Sequence, residues 1–185
     1  MTSNPIIPVT ARALALIGTV TLGAACASRP REAPLASKED ACSTLKTVIA
    51  AAPNGFDAVK RGSELKSRLG VRWAAVGLLP HTSCEVWRWG GGHNHYLCLW
   101  NKADEAAAAR DFEEGKRLLH SCLGPAWTLT EKPSPKGRVA AYTHPDHATQ
   151  VELRFFADPR GYRTSWQTSL VVGDKAKDGE GLPVP

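Results

Sequence analysis

Residues 84–101, Cys-Glu-Val-Trp-Arg-Trp-Gly-Gly-Gly-His-Asn-His-Tyr-Leu-Cys-Leu-Trp-Asn, decide how this chain folds. Two runs rich in Trp, Val, Tyr and Leu flank Gly90-Gly91-Gly92, the composition of a β-hairpin. A turn centred on Gly91 sets Cys84 opposite Cys98, Val86 opposite Tyr96, and Trp87 opposite His95. Strand side chains alternate, so one face carries Cys84, Val86, Tyr96, Cys98 and Trp100. The other carries Trp87, Trp89, His93, His95, Leu97 and Leu99. Both faces are apolar, so the hairpin is either a central element covered on both sides or an element that offers one face for binding.

On the N-terminal side, Ser37-Lys38-Glu39-Asp40 reads as a helix start, with Ser37 as cap and Asp40 in the first turn. Cys42, Leu45, Ile49 and Ala52 follow at spacings of three, four and three, which is one face of a helix. Pro53-Asn54-Gly55 ends it. Residues 56–70 predict a short irregular helix around Gly62, anchored by Phe56, Val59, Leu65 and Leu69. Residues 71–76, Val-Arg-Trp-Ala-Ala-Val, predict a strand.

On the C-terminal side, residues 101–122 read as a helix capped by Asn101 or Asp104 and stopped by Gly124-Pro125. Ala108, Phe112, Gly115, Leu119 and Cys122 make its apolar stripe. Four strands follow, over 127–132, 138–143, 150–157 and 163–172, separated by turn-forming Pro, Gly, Asp and His clusters. Val151, Leu153 and Phe155 share one face, as do Trp166, Leu170 and Val172, which predicts a four-stranded antiparallel meander with one buried side.

The simplest assembly is an α+β domain over residues 37–173, two helices packed on one face of an antiparallel β-sheet, with a disordered tail over 174–185. Four cysteines allow three pairings. The favoured one joins Cys42 to Cys122, helix to helix, and Cys84 to Cys98 across the hairpin. This outline is similar to small bacterial exported proteins in which two cysteines bracket a hairpin and a third lies just before a Gly-Pro and a Trp strand. The likeness bears on the fold.

Residues 1–25 read as a signal peptide: Arg12, then thirteen uncharged residues ending in Gly23, Ala24 and Ala25. That run falls short of the roughly 20 residues a bilayer span needs. Leu22-Gly23-Ala24-Ala25-Cys26 resembles the bacterial lipobox, which implies cleavage before Cys26, its acylation and membrane anchoring. Gly23 stands where the lipobox usually has leucine. Ordinary cleavage at Ala25-Cys26-Ala27 is the competing route and implies a secreted or periplasmic protein. Either route removes the odd cysteine of five, and export favours oxidation of the other four. Residues 26–36, with two prolines, read as a tether.

The formal charge is +5, and Arg12 is the only charged side chain before Cys26, leaving +4 after processing. Lys60, Arg61, Lys66, Arg68 and Arg72 cluster but are interrupted by Glu64. Nucleic-acid binding wants a denser basic stripe with interleaved aromatics. A mild attraction to anionic lipid or cell-wall polymer suits an exported chain better, and solubility alone also accounts for the charge.

Catalytic signatures are weak. Ser43-Thr-Leu-Lys46 and Ser63-Glu-Leu-Lys66 match Ser-x-x-Lys, but no Lys-Thr-Gly or Ser-Asp-Asn partner follows. There is no Cys-x-x-Cys, Gly-x-Ser-x-Gly or phosphate-binding glycine loop, and no cofactor motif. His93 and His95, with His144 and His147, are the candidate metal ligands. The expectation is therefore a non-enzymatic, lipid-anchored binding module of the cell envelope: an inhibitor, immunity-type or accessory factor that meets an envelope protein or a cell-wall glycan through Trp87, Trp89 and His95. A small metal-dependent enzyme using the four histidines and a purely structural envelope component are the alternatives.

Overall fold

The computed structural model describes residues 38–79, 82–100, 103–134, 137–159 and 164–174. The expected signal peptide, Cys26, the tether, the Ser37 cap and tail residues 175–185 lie outside them. Contacts divide the chain into Met1–Ala33 and Pro34–Pro185, and every described residue belongs to the second unit.

The chain runs α1 (Lys38–Ala51), β1 (Lys60–Ser67), β2 (Gly70–Ala75), β3 (Thr82–Trp89), β4 (Asn94–Trp100), α2 (Glu105–Leu123), β5 (Thr128–Ser134), β6 (Gly137–Thr143), β7 (Thr149–Asp158) and β8 (Ser165–Asp174). Two short 3-10 turns, Ala52–Asn54 and Asp57–Val59, follow α1. All eight strands form one antiparallel sheet in the order β1-β2-β3-β4-β8-β7-β6-β5. The fold is α+β as expected, but the sheet is larger than a strand, a hairpin and a separate meander. The meander does form, and its last strand returns to pair with β4, fusing it to the hairpin.

Two expectations are corrected. Residues 60–67 form an edge strand rather than an irregular helix, and all but its first residue are exposed. A strand wetted on both faces carries no alternation of apolar side chains, so the pattern that reveals strands is missing there. Within the meander, β7 and β8 are also buried on two sides, not one, while β5 is exposed. On β7 and β8, Glu152, Arg154, Ser169 and Val171 are as buried as the core residues between them.

The hairpin register is the expected one, with Cys84 opposite Cys98, Val86 opposite Tyr96 and Trp87 opposite His95. Both disulfides are the favoured pair, Cys42–Cys122 and Cys84–Cys98. They suit a chain that folds in an oxidising compartment. Among the described residues no helix is long and apolar enough to cross a membrane.

Two cross-strand rows line the face that meets the helices. One runs Trp73–Val86–Tyr96–Val172–Val151–Tyr142, the other Cys84–Cys98–Leu170–Leu153–Ala140. Leu45 and Val48 of α1 and Ala108, Phe112 and Leu119 of α2 complete the same core. The stripe read from the sequence of α2 is the stripe that is buried, and Asp104 caps the helix by accepting a bond from the Ala107 N–H at 2.7 Å. Gly115 brings α2 close: a Cβ there would sit 3.1 Å from Leu153. The polar groups on this face are used. Tyr142 Oη donates to the Lys116 carbonyl, Thr168 Oγ1 to the Ala108 carbonyl, and Tyr96 Oη to the Val76 carbonyl.

Candidate functional site

The second face of the sheet is built by the residues between those rows. Pairing sets Arg72, Trp87, His95, Gly173 and Gln150 side by side across five strands. The next row is Glu85, Leu97, Val171, Glu152 and Ala141, and the one after it is Ser83, Leu99, Ser169, Arg154 and Val139. Trp87, Leu97 and Val171 form a separate apolar cluster, with Trp89 and Leu99 part-exposed beside it. Among the described residues this cluster is made of strand residues, whereas both helices belong to the core on the other side.

Trp87, Trp89 and His95, the three residues singled out in the sequence, do come together. The Trp87 and Trp89 rings stack at 4.8 Å between centroids, and Trp89 lies 6.5 Å from His95. Trp87 is only 7% exposed. Its Nε1 donates to Glu85, and the Arg72 guanidinium, itself bonded to Glu85, lies over its ring. Trp87 is thus fixed in place, and Trp89 is the ring that keeps contact with solvent.

His95 lies flat against β8. A Cβ on Gly173 would come within 2.1 Å of His95 Cδ2, so only glycine leaves room for the imidazole. Burial above all, with help from His93 and Arg154 and against the pull of Asp174, lowers the His95 pKa to about 4. The ring is therefore neutral at neutral pH.

Beside it Glu152 and Arg154, two residues apart on β7, form an ion pair with both side chains 8% exposed. Gln150 donates to the same carboxylate. A buried pair of this kind is retained at a desolvation cost and is weak as a source of stability. Among the described residues three further polar atoms are buried without a hydrogen-bond partner: Trp89 Nε1, His95 Nδ1 and Ser169 Oγ. All three belong to the second face. Each unpaired group costs about 1–3 kcal/mol. Glu152, Arg154 and Ser169 escaped the sequence reading because polar residues alternating with apolar ones look like a solvent face. The unbroken apolar run Leu170-Val171-Val172 was the signal that β8 is buried on both sides.

The four candidate metal ligands separate into two pairs. His93 and His95 sit on the β3–β4 hairpin, and His144 and His147 on the turn after β6. Three strand spacings, about 14 Å, divide His95 from the end of β6. His144 and His147 pack instead against Trp127, and His144 Nδ1 accepts the Asp146 N–H. Among the described residues no three His, Cys, Asp or Glu gather closely enough to hold an ion. Ser63 and Lys66 fall on β1, where residues three apart point to opposite faces.

No protein-family model, no curated protein and no solved structure matches this chain, so its function is argued from the geometry of this second face alone.

Proposed function

We propose that this protein is a binding module of the bacterial cell envelope, exported and lipid-anchored at Cys26, which engages a protein partner through the second face of its sheet. The observation that carries the reading is the set of three buried polar atoms without partners, Trp89 Nε1, His95 Nδ1 and Ser169 Oγ, gathered on one face. Buried polar groups are nearly always satisfied in folded proteins, so a cluster of exceptions calls for a cause. A partner that enters by displacing the part-exposed Trp89 ring, and then supplies hydrogen bonds to the indole, the neutral imidazole and the hydroxyl, removes the penalty. Trp89 and Leu99, the part-exposed members, are the way in. Aromatic anchors beside apolar and hydrogen-bonding groups are what interface hot spots are made of.

The reading is not catalytic. His95 is neutral and buried, and among the described residues the face holds no nucleophile paired with a base. A photo-reactive phenylalanine analogue placed at Leu99 in the living host tests it. Irradiation should give one discrete adduct with an envelope protein, absent when the analogue replaces Leu129 on β5. No adduct at Leu99, or the same adducts at both positions, contradicts it.

A further inference from the structure

We infer that the β1–β2 hairpin is a second interaction surface, one that docks the domain onto an anionic phospholipid bilayer. It borders the face around Trp89, since Gly70 pairs with Trp89 and Leu65 with Arg72, but it lies on the outer two strands and does not depend on the acylation of Cys26.

The hairpin lies at the edge of the sheet and its turn is Arg68-Leu69, between the paired residues Ser67 and Gly70. Ser67 Oγ ties the turn by donating to the Gly70 carbonyl and accepting from the Leu69 N–H. Further back the register slips between Arg61 and Leu65, where Gly62 takes a positive φ of 67°. Every residue from Arg61 to Leu69 is exposed.

What is exposed there is unusual. Among the described residues the large hydrophobics that face solvent are Leu65 at 51%, Leu69 at 56% and Leu129 at 36%. Two of the three sit on this one hairpin. Single surface leucines need no explanation, but these two stand among cations. Residues 60–72 hold Lys60, Arg61, Lys66, Arg68 and Arg72 against Glu64 alone. Lys60 is paired with Asp57, Arg72 with Glu85, and Glu64 faces Arg88 at 3.9 Å. Arg61, Lys66 and Arg68 have no carboxylate within ion-pair distance among the described residues.

Leu69 at the tip and Leu65, about 10 Å back along the hairpin, can enter the boundary of headgroups and acyl chains while Arg61, Lys66 and Arg68 meet lipid phosphates. Interfacial segments divide the work in this way, with apolar groups inserted and basic groups at the headgroups. A soluble polyanion would use the cations and leave both leucines in water, which is why the lipid surface is the better match.

Residues 34–185 carry every described element and both disulfides and lack Cys26, so this unit alone isolates the hairpin from any lipid anchor. It is sedimented with phosphatidylcholine vesicles, with and without phosphatidylglycerol as about a third of the lipid. Binding is expected only to the anionic vesicles and should weaken with salt. Leu65→Ser with Leu69→Ser should lower partitioning about tenfold, and Lys66→Glu with Arg68→Glu should abolish it. Leu129→Ser, on the opposite edge strand, should change nothing. Each variant's melting temperature should stay at the wild-type value, since all these side chains are exposed. Failure of the wild type to sediment overturns the inference, as does leucine-variant binding equal to wild type, which would mark a surface for polyanions in general.

Discussion

Thr168 and Ser169 are neighbours on β8, both essentially without solvent exposure, and they live on opposite faces of the same sheet. Thr168 Oγ1 donates to the Ala108 carbonyl of α2 at 2.8 Å, whereas Ser169 Oγ meets no partner at all. The contrast holds for the faces as wholes. The helix-covered face has apolar rows and hydroxyls that reach helix carbonyls. The second face has an ion pair, a neutral histidine and unpaired donors beside a small apolar cluster. One face is arranged for stability. The other gives stability away, as the proposed interaction site would.

The largest effect should come from untying the covered face. Cys42→Ala with Cys122→Ala opens a link between residues 80 apart in sequence. The chain-entropy model puts the loss at about 4.5 kcal/mol, readable as a lower urea midpoint under non-reducing conditions. A loss near zero would mean that the helices are held by packing alone.

On the second face, Glu152→Gln should cost roughly 3 kcal/mol or more, because the buried Arg154 guanidinium loses the Glu152 charge. Glu152→Leu with Arg154→Met should recover most of that, since a buried pair replaced by apolar groups is close to neutral. If the double variant is worse than the single, the pair is a source of stability and the contrast between the faces fails at its centre.

His95 makes the contrast depend on pH. Its folded pKa of about 4 lies below the usual 6.5, so between those values the unfolded chain binds the proton and the folded one does not. Stability is therefore full above pH 6.5 and falls as pH drops toward 4, by up to about 3 kcal/mol. Denaturation curves at pH 7 and 4.5 should show this slope in the wild type and a reduced slope in His95→Gln. The same slope in both would place the pH sensitivity elsewhere.

The smallest effect is the sharpest. Thr168→Val should cost about 1 kcal/mol, for it deletes a made hydrogen bond. Ser169→Ala should cost nothing or stabilise slightly, for it deletes an unmade one. Equal losses from both would show that Ser169 is satisfied after all.

Much of this was legible in the sequence, and what was not follows a physical rule. Cys84, Val86 and Trp87 found their partners because a hairpin with apolar strands and a glycine turn has one register that sorts its side chains. The stripe of α2 was legible because period and burial agree over nineteen residues. Strand β1 was not, since a strand with no buried side leaves no pattern to read. The return of β8 to β4 was not legible either, because strand pairing at long range leaves no local mark. Within the site, Trp87, Trp89 and His95 stood out by residue type. Glu152, Arg154 and Ser169 did not, since their burial comes from the place of β7 and β8 in the middle of the sheet.

The most direct test is to make Trp89→Phe with Ser169→Ala, which removes two unpaired donors and keeps an aromatic ring to stack on Trp87, and to measure stability and capture of the protein cross-linked at Leu99 side by side. The account predicts a melting temperature at or above wild type and partner affinity lowered at least tenfold, on the order of two lost hydrogen bonds. A variant that binds as before, or that loses stability as Thr168→Val does, would show that the second face is a structural layer and not a site.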